Sequence, residues 1–376
     1  MNGWTWIAGL VALVTAQIGL AKELVIGQVA PIQDPLVAGF QMKSGIELYF
    51  DVVNKAGGVH GATLRLVVKD RAPQIAADAV PKTRELIEEH KPLALIGLPG
   101  TGPMEALVKE GVLEAAGLPV VGIRTGATAL HQPVNPLLFH TRANYAIEAE
   151  KIVKHMSTMA LKKIAIFHED SPFGKEALKH TLASLDKSKV KALAIASYPS
   201  NTNDVQAAVK AIAAVSPDAV IAASSSSAAA HMYKSLNQRG AARIQMVSFS
   251  TVDAAIVIKL IGRIDARGLG IAQVVPDPEN RRSPLVREFQ DHVKNLRNSK
   301  FEMTQGALEG YVAAKVLVEA LQRTGPNPTP LRLRQSLEKI ANYDAGGMVI
   351  NFSPKNHSGS SYVNIGILAS DGRLMN

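Results

Sequence analysis

The 376-residue sequence contains no cysteine. That removes disulfides, cysteine-zinc sites and thiol nucleophiles together, and with them the lipidated cysteine of a lipoprotein anchor. Charged residues make up only 19% of the chain, too few for a disordered or coiled-coil protein. Aromatic residues are 5%, and they do not interleave with Lys or Arg. The net charge of +9 is therefore scattered rather than gathered into a run, and the signatures of DNA and RNA modules are absent. A basic soluble protein meeting an anionic surface is the plainer reading. The ten histidines are dispersed, with no His-x-x-x-His or His-Glu pair at metal spacing. No G-x-S-x-G elbow is present. The sequence therefore predicts no metal, no cofactor and no enzymatic activity.

What is present is an apolar, globular composition. Hydrophobic residues are 47% of the chain, and the length allows two domains of ordinary size. The first residues stand apart. "WTWIAGLVALVTAQIGLAKE" (Trp4–Glu23) has an apolar centre and ends in Gly19-Leu20-Ala21, a small-x-small pattern that resembles a signal-peptidase site. The stretch is short and interrupted by Thr15 and Gln17, which argues against a permanent span. It lacks the usual Lys or Arg near its start. Residues 1–21 are expected to be a signal peptide, and the mature protein a soluble, exported monomer of the periplasm.

Beyond Lys22 the pattern alternates. "ELVIGQVA" (Glu23–Ala30), "TLRLVVKD" (Thr63–Asp70), "PLALIG" (Pro92–Gly97) and "LPVVGI" (Leu118–Ile123) read as strands. Helical periodicity marks Ala38–Gly58, Ile75–His90 with an interruption at Pro81, and Pro103–Ala116. The rhythm restarts after Ala143, with strands at "KKIAIFHED" (Lys162–Asp170), "KALAIASYP" (Lys191–Pro199), "PDAVIAAS" (Pro217–Ser224) and "IQMVSFS" (Ile244–Ser250). Alternation of this kind predicts an α/β protein with two doubly wound parallel-sheet lobes. Helices are expected over Ser283–Asn298, Thr304–Arg323 and Leu331–Ala341. Paired strands are expected over Gly346–Leu368. In open parallel sheets ligands bind outside the carboxyl ends of the strands, so the loops after these strands are the candidate site.

One such loop is "IGLPGTGPMEAL" (Ile96–Leu107). It is not a Walker A motif, because Pro103 follows Gly102 and no Gly-Lys-Ser/Thr appears. It is not a dinucleotide fingerprint, because Glu105 stands where the third glycine belongs. Thr101 at a helix start suits one small anion; a tight turn with an incidental threonine fits the local sequence as well. "SSSS" (Ser224–Ser227) has no partner base and reads as small polar residues at a strand end.

The chain also resembles a known family. "NKAGGVHGATLRLVVKD" (Asn54–Asp70) is similar to the N-x-x-G-G-[IV]-x-G-x-x-L signature of the leucine/isoleucine/valine-binding family. These are substrate-binding proteins of ABC importers with the type I periplasmic-binding fold. The likeness continues in order through "GLPVVGIRTGAT" (Gly117–Thr128), "FHTRAN" (Phe139–Asn144), "IAIFHEDSPFGKEAL" (Ile164–Leu178), "NDVQAAVKAIAAVSPDAVI" (Asn203–Ile221), "EGYVAAKVLVEAL" (Glu309–Leu321) and "GGMVINFSPKNHSG" (Gly346–Gly359).

The resemblance implies two lobes that close on a ligand, joined by three crossings near Phe139–Ala143, Gly270–Val274 and Asn351–Pro354. Lobe 1 would comprise 22–140 and 275–350, and lobe 2 would comprise 141–274 and 351–376. A membrane permease would be the partner. Position by position, Gly100 and Thr101 match the carboxylate-binding turn. Thr125 matches a second carboxylate and ammonium loop without gaps, and Thr128 matches it if two residues are inserted; Arg124 stands beside them. Phe173 matches an aromatic of the second lobe, where many members have Tyr. Ser225 or Ser226 matches a side chain that meets the ligand. At the position of an acid that pairs with a ligand ammonium stands Ser250, with Asp253 the nearest carboxylate. The ligand implied is a branched-chain or other apolar amino acid, or a related carboxylate if Asp253 does not reach the cleft. Two other classes make different expectations. A cytoplasmic ligand-sensing regulator of this fold predicts no leader, and an enzyme predicts a catalytic cluster.

Overall fold

The buried, β-branched run that opens at Glu23 forms a central strand, and the rest of the first lobe is built around it. A computed structural model describes residues 22–72, 75–200, 202–239, 244–296 and 300–375, so the leader expected at 1–21 lies outside the described residues. The first lobe runs β1 (Glu23–Ala30), α1 (Ala38–Lys55), β2 (Thr63–Asp70), α2 (Ala79–His90), β3 (Ala94–Ile96), α3 (Thr101–Lys109), α4 (Val112–Ala116), β4 (Val120–Val121), α5 (Thr128–His131) and β5 (Leu138–Phe139). Its sheet has the order β2-β1-β3-β4-β5, and all its pairs are parallel.

The chain then builds the second lobe. It runs α6 (Tyr145–Thr158), β6 (Ile164–Asp170), α7 (Pro172–Lys187), β7 (Ala194–Pro199), α8 (Gln206–Ala214), β8 (Ala219–Ala223), α9 (Ser226–Arg239), β9 (Gln245–Ser248), α10 (Ala254–Ala266) and β10 (Gly270–Gln273). Helices α11 (Pro284–Lys294), α12 (Gln305–Thr324) and α13 (Pro330–Leu337) return to the core of the first lobe, followed by a small hairpin of β11 (Tyr343–Asp344) and β12 (Val349–Ile350). The last strands, β13 (Asn364–Leu368) and β14 (Leu374–Met375), add antiparallel to the second sheet, whose order is β14-β13-β10-β9-β8-β6-β7. The two doubly wound lobes are thus joined by three stretches of chain. The first and third lie side by side, with His140 N donating to His357 O at 2.9 Å and Gly359 N to His140 O at 2.8 Å.

Helix α12 is buried along almost its whole length, and it crosses α1 at glycines. A methyl built on Gly45 would lie 1.8 Å from Ala307 O, and one built on Gly310 would lie 2.2 Å from Met42 O. Only a hydrogen at these positions lets the two backbones approach so closely.

Three expectations are corrected by the structure. The helix expected over Pro103–Ala116 starts earlier, at Thr101, and is split in two because Gly111 turns left-handed at φ +60°. Pro81 does not interrupt a helix. It lies in the first turn of α2 after a short 3-10 turn at Ala76–Asp78, where its missing N–H would have had no intrahelical acceptor anyway. The two strand segments within Gly346–Leu368 do not pair with each other. One closes the hairpin on the first lobe, and the other joins the second sheet beside β10.

Candidate ligand-binding cleft

The strand-end loops of both lobes meet around a cavity of about 550 Å³. The first lobe supplies Arg71, Gly100, Thr101 and Arg124, and the second supplies Glu169, Phe173, Ser200, Asn203 and Ser224–Ser227. The lobes touch across the mouth. A methyl built on Gly102, at the start of α3, would lie 3.5 Å from Pro172 Cγ at the start of α7.

The first-lobe wall is set by the loops after β3 and β4, which run side by side. Arg124 N donates to Leu98 O at 2.9 Å, and Gly100 N donates to Arg124 O at 3.3 Å. Gly100 adopts φ +102°, a conformation that strains any other residue, and starts α3 at Thr101. The first-turn N–H groups of a helix lack intrahelical acceptors and carry the positive end of its dipole. Pro103 has no N–H to add. The Thr101 hydroxyl shares a 2.7 Å hydrogen bond with Thr125 Oγ1, which accepts from Ala127 N at 3.2 Å and reaches Tyr145 Oη at 3.4 Å. The arrangement can hold an anion and fix its orientation.

Arg71 follows β2 directly, at the same carboxyl end of the sheet. Its Nη2 donates to Pro99 O at 3.0 Å and its Nη1 to Ala72 O at 3.2 Å. It is buried, and burial pulls its pKa down against the opposing fields of Asp78 and Asp70.

Behind the wall lies a charge network that joins the lobes. Arg142, on the first crossing, donates to Glu309 of α12 at 3.2 Å, to Glu148 of α6 at 2.9 Å, and to Ser250 Oγ. Arg124 Nε donates to the other oxygen of Glu309 at 3.1 Å, and Ser250 N donates to Glu148 at 2.9 Å. Two arginines thus balance two glutamates. Arg142 and Glu148 are 1% and 0% exposed at the side chain. Burial opposes the charge on Arg142, and Glu309 and Glu148 more than offset it. Burial also pushes the Glu148 carboxyl above the usual range, against the pull of Arg142 and the Ser250 N–H.

The second-lobe wall is polar. Tyr198 Oη donates to Glu169 at 2.9 Å and accepts from Ser225 N at 3.0 Å, while Ser200 donates to the other Glu169 oxygen at 3.2 Å. Three of the four serine hydroxyls have structural partners, and the buried Ser224 hydroxyl has none among the described residues. Ser225 Oγ accepts from Ala228 N at the start of α9, Ser226 Oγ accepts from Asp253 N, Ser227 Oγ donates to Asn203, and Ser224 O accepts from Thr251 Oγ1. Phe173 stands 5.2 Å from Tyr145, ring to ring, and forms part of the floor.

Of the residues named from sequence, Gly100, Thr101, Arg124, Phe173, Ser225 and Ser226 line the cavity. Thr125 stands behind Thr101, and Thr128 is held by Glu176 and His180 of α7. Ser250 is fully buried in the charge network. Asp253 does not face the cavity. One of its oxygens caps α10 through Ala255 N at 2.9 Å, and the other accepts from Gln305 N of α12 at 2.7 Å. It therefore caps one helix in each lobe. Arg71, Tyr145, Glu309, Arg142 and Glu148 escaped the sequence reading. Arg71 alone had a signal, as the first residue after a parallel strand. Among the described residues, no group of three or more potential ligands could hold a metal ion, and no helix is long and apolar enough to cross a membrane.

Comparison with known proteins agrees with this architecture. Residues 24–373 match the model of a periplasmic binding protein family. The chain is 24% identical to a Leu/Ile/Val-binding protein homolog 7 of Brucella melitensis, over 97% of this chain and 93% of that protein. Among solved structures it is similar to a substrate-binding periplasmic protein of Ralstonia solanacearum, with 32% identity, a TM-score of 0.88, and coverage of 94% of this chain and 99% of that one. A branched-chain amino acid ABC transporter protein of Thermus thermophilus with bound valine has the same fold, at 18% identity and a TM-score of 0.83, over 94% of this chain and 95% of that one.

Proposed function

The chain belongs to the periplasmic binding protein family, and on that premise we propose that it captures a small carboxylate, an amino acid or a close relative, between its lobes and delivers it to an ABC importer. The observation that carries this reading is the cavity of about 550 Å³ walled by both lobes, with Thr101 and the start of α3 at one corner. Ligand first meets the loops after β2, β3 and β4. Closure then adds Phe173, Ser225 and the polar wall of the second lobe. A ligand that touches both walls favours the closed state by the free energy of the second set of contacts. The hinge lies near residues 139–143, 270–274 and 351–354, with 22–140 and 275–350 on one side and 141–274 and 351–376 on the other. A permease reads the closed shape, no bond is made or broken, and the carrier works as an exported monomer in the periplasm.

A thermal-shift screen of amino acids and small carboxylates tests the reading. A ligand at a hundred times its Kd stabilises by about 2.7 kcal/mol, and Thr101→Val reduces the response of that ligand. A screen with no response contradicts the reading. Sequencing the N-terminus of protein recovered from cells tests export: a start after Ala21 supports it, and a start at Met1 refutes it.

A further inference from the structure

We infer that Arg71 is the principal anion receptor of this cleft, and that the ligand is a carboxylate with no ammonium on the neighbouring carbon. The inference rests on the reading of the cavity as the ligand site and narrows its ligand class.

Arg71 is 6% exposed yet lines the cavity. A guanidinium offers five N–H donors. Ala72 O and Pro99 O take one on each Nη, and the buried Nε has no partner. Among the described residues no carboxylate pairs with it. Asp70 and Asp78 act on it only at longer range. Their oxygens accept instead from Ile32 N, Gln33 Nε2 and Ala72 N. A buried cation with no carboxylate paired to it is costly, and an entering anion reduces that cost.

The guanidinium also stands where an anion is already favoured. A methyl built on Gly100 would lie 3.7 Å from Arg71 Nη2 and 3.2 Å from Pro103 Cδ. The start of α3, the Thr101 hydroxyl and Arg71 therefore converge on one corner.

An α-ammonium would have to sit beside that corner, where each nearby acceptor already takes a hydrogen bond and two arginines face it. Pro99 O and Leu98 O accept from Arg71 and Arg124, and Arg124 O accepts from Gly100 N. Glu309 is shared by Arg124 and Arg142. Asp253 is turned away to cap two helices. Of the acids that line the cavity, Asp34 is tied by one oxygen to Leu36 N in its own loop, and Glu169 accepts from Tyr198 and Ser200 on the opposite lobe. The corner holds an excess of donors and positive charge, which welcomes a carboxylate and repels an ammonium.

The test is calorimetric titration at pH 7.5 of the full mature chain with matched pairs. Leucine is compared with 4-methylpentanoate and phenylalanine with 3-phenylpropanoate, with 4-methylpentanamide as an uncharged control. At least one des-amino acid is expected to bind more than about tenfold tighter than its amino acid, and the amide not to bind. Arg71→Gln should weaken that carboxylate ~30-fold, the loss of a charge-assisted hydrogen bond, while the unliganded Tm stays level or rises. Arg71→Lys, which keeps the charge, should lose less, and it carries the test if the glutamine variant does not fold. An amino acid that binds tighter than its des-amino partner overturns this inference and leaves the transport reading standing. Unchanged carboxylate affinity in both Arg71 variants overturns the assignment of the residue. Silence of every solute with the wild-type chain overturns this inference and the transport reading together.

Discussion

Replacing Arg142 by Met tests whether the buried charge network holds the two lobes in register. Arg142 is the hub: it bonds Glu148, Glu309 and Ser250, and its side chain is 1% exposed. After Arg142→Met, Glu309 still has Arg124 at 3.1 Å, but Glu148 keeps only Ser250, through its N–H and its side chain. One carboxylate is then buried without a cation. Removing one partner of a buried pair costs about 3–5 kcal/mol. The unfolding entropy of a 376-residue chain, at about 2.1 cal/mol/K per residue, is ~0.8 kcal/mol/K. The expected fall in Tm is therefore ~4–6 °C.

The loss should depend on pH with a definite sign. Burial already raises the Glu148 carboxyl, and Arg142 opposes that rise. Without Arg142 the folded pKa rises further, so the folded state prefers the protonated form. The deficit of the variant is therefore largest above that pKa and shrinks as pH falls through it. Adding Glu148→Gln removes the stranded charge and should restore most of the stability at neutral pH. Thermal unfolding followed by circular dichroism between pH 5 and 8 reads all three effects. A Tm within 1 °C of wild type, or a double variant no more stable than the single, would refute the reasoning.

Two further outcomes follow from burial and packing. Burial raises Asp277 to about 6, with its own loop N–H from Glu279 opposing the shift. The folded state then holds a proton that the unfolded chain, near 3.9, has lost, so wild-type stability falls as pH rises from about 4 to 6. Asp277→Asn keeps an oxygen for the Glu279 N–H. It should abolish that slope in Tm and gain up to ~3 kcal/mol at pH 7; a slope that survives the substitution contradicts this. Gly45→Ala places a methyl 1.8 Å from Ala307 O, which must push α1 off α12 and should cost at least about 1–3 kcal/mol in urea unfolding. A neutral or stabilising effect would show that the helices cross less tightly.

The sequence made the parallel strands readable because strands buried on both faces appear as apolar runs. β1 coincides with "ELVIGQVA" residue for residue, and β2, an edge strand only partly buried, with "TLRLVVKD", read through its apolar centre. Helix interruptions were harder, since Pro81 is harmless in a first turn and Gly111 is decisive in a left-handed one. The partners of β12 and β13 were hidden because antiparallel edge pairing depends on where the chain returns, not on local pattern. At the site, the rule that ligands meet strand-end loops located Gly100, Thr101, Arg124, Phe173, Ser225 and Ser226 at the cavity, and applied to β2 it would have located Arg71. It cannot set side-chain direction. Asp253 turns away because two helix starts compete for its oxygens. Glu309 meets Arg142 across 167 positions of sequence, a distance that no spacing motif spans.

The absence of cysteine makes one direct test of the central claim possible. Gly102→Cys and Pro172→Cys face each other across the mouth of the cleft, where a methyl on Gly102 lies 3.5 Å from Pro172 Cγ. Radiolabelled carboxylate is bound first, the pair is oxidised, and release into excess unlabelled ligand is timed. If the ligand lies between the lobes, the oxidised protein retains its label and reduction releases it at the wild-type rate. Equal release rates with the bond closed and open would contradict capture in the interlobe cleft.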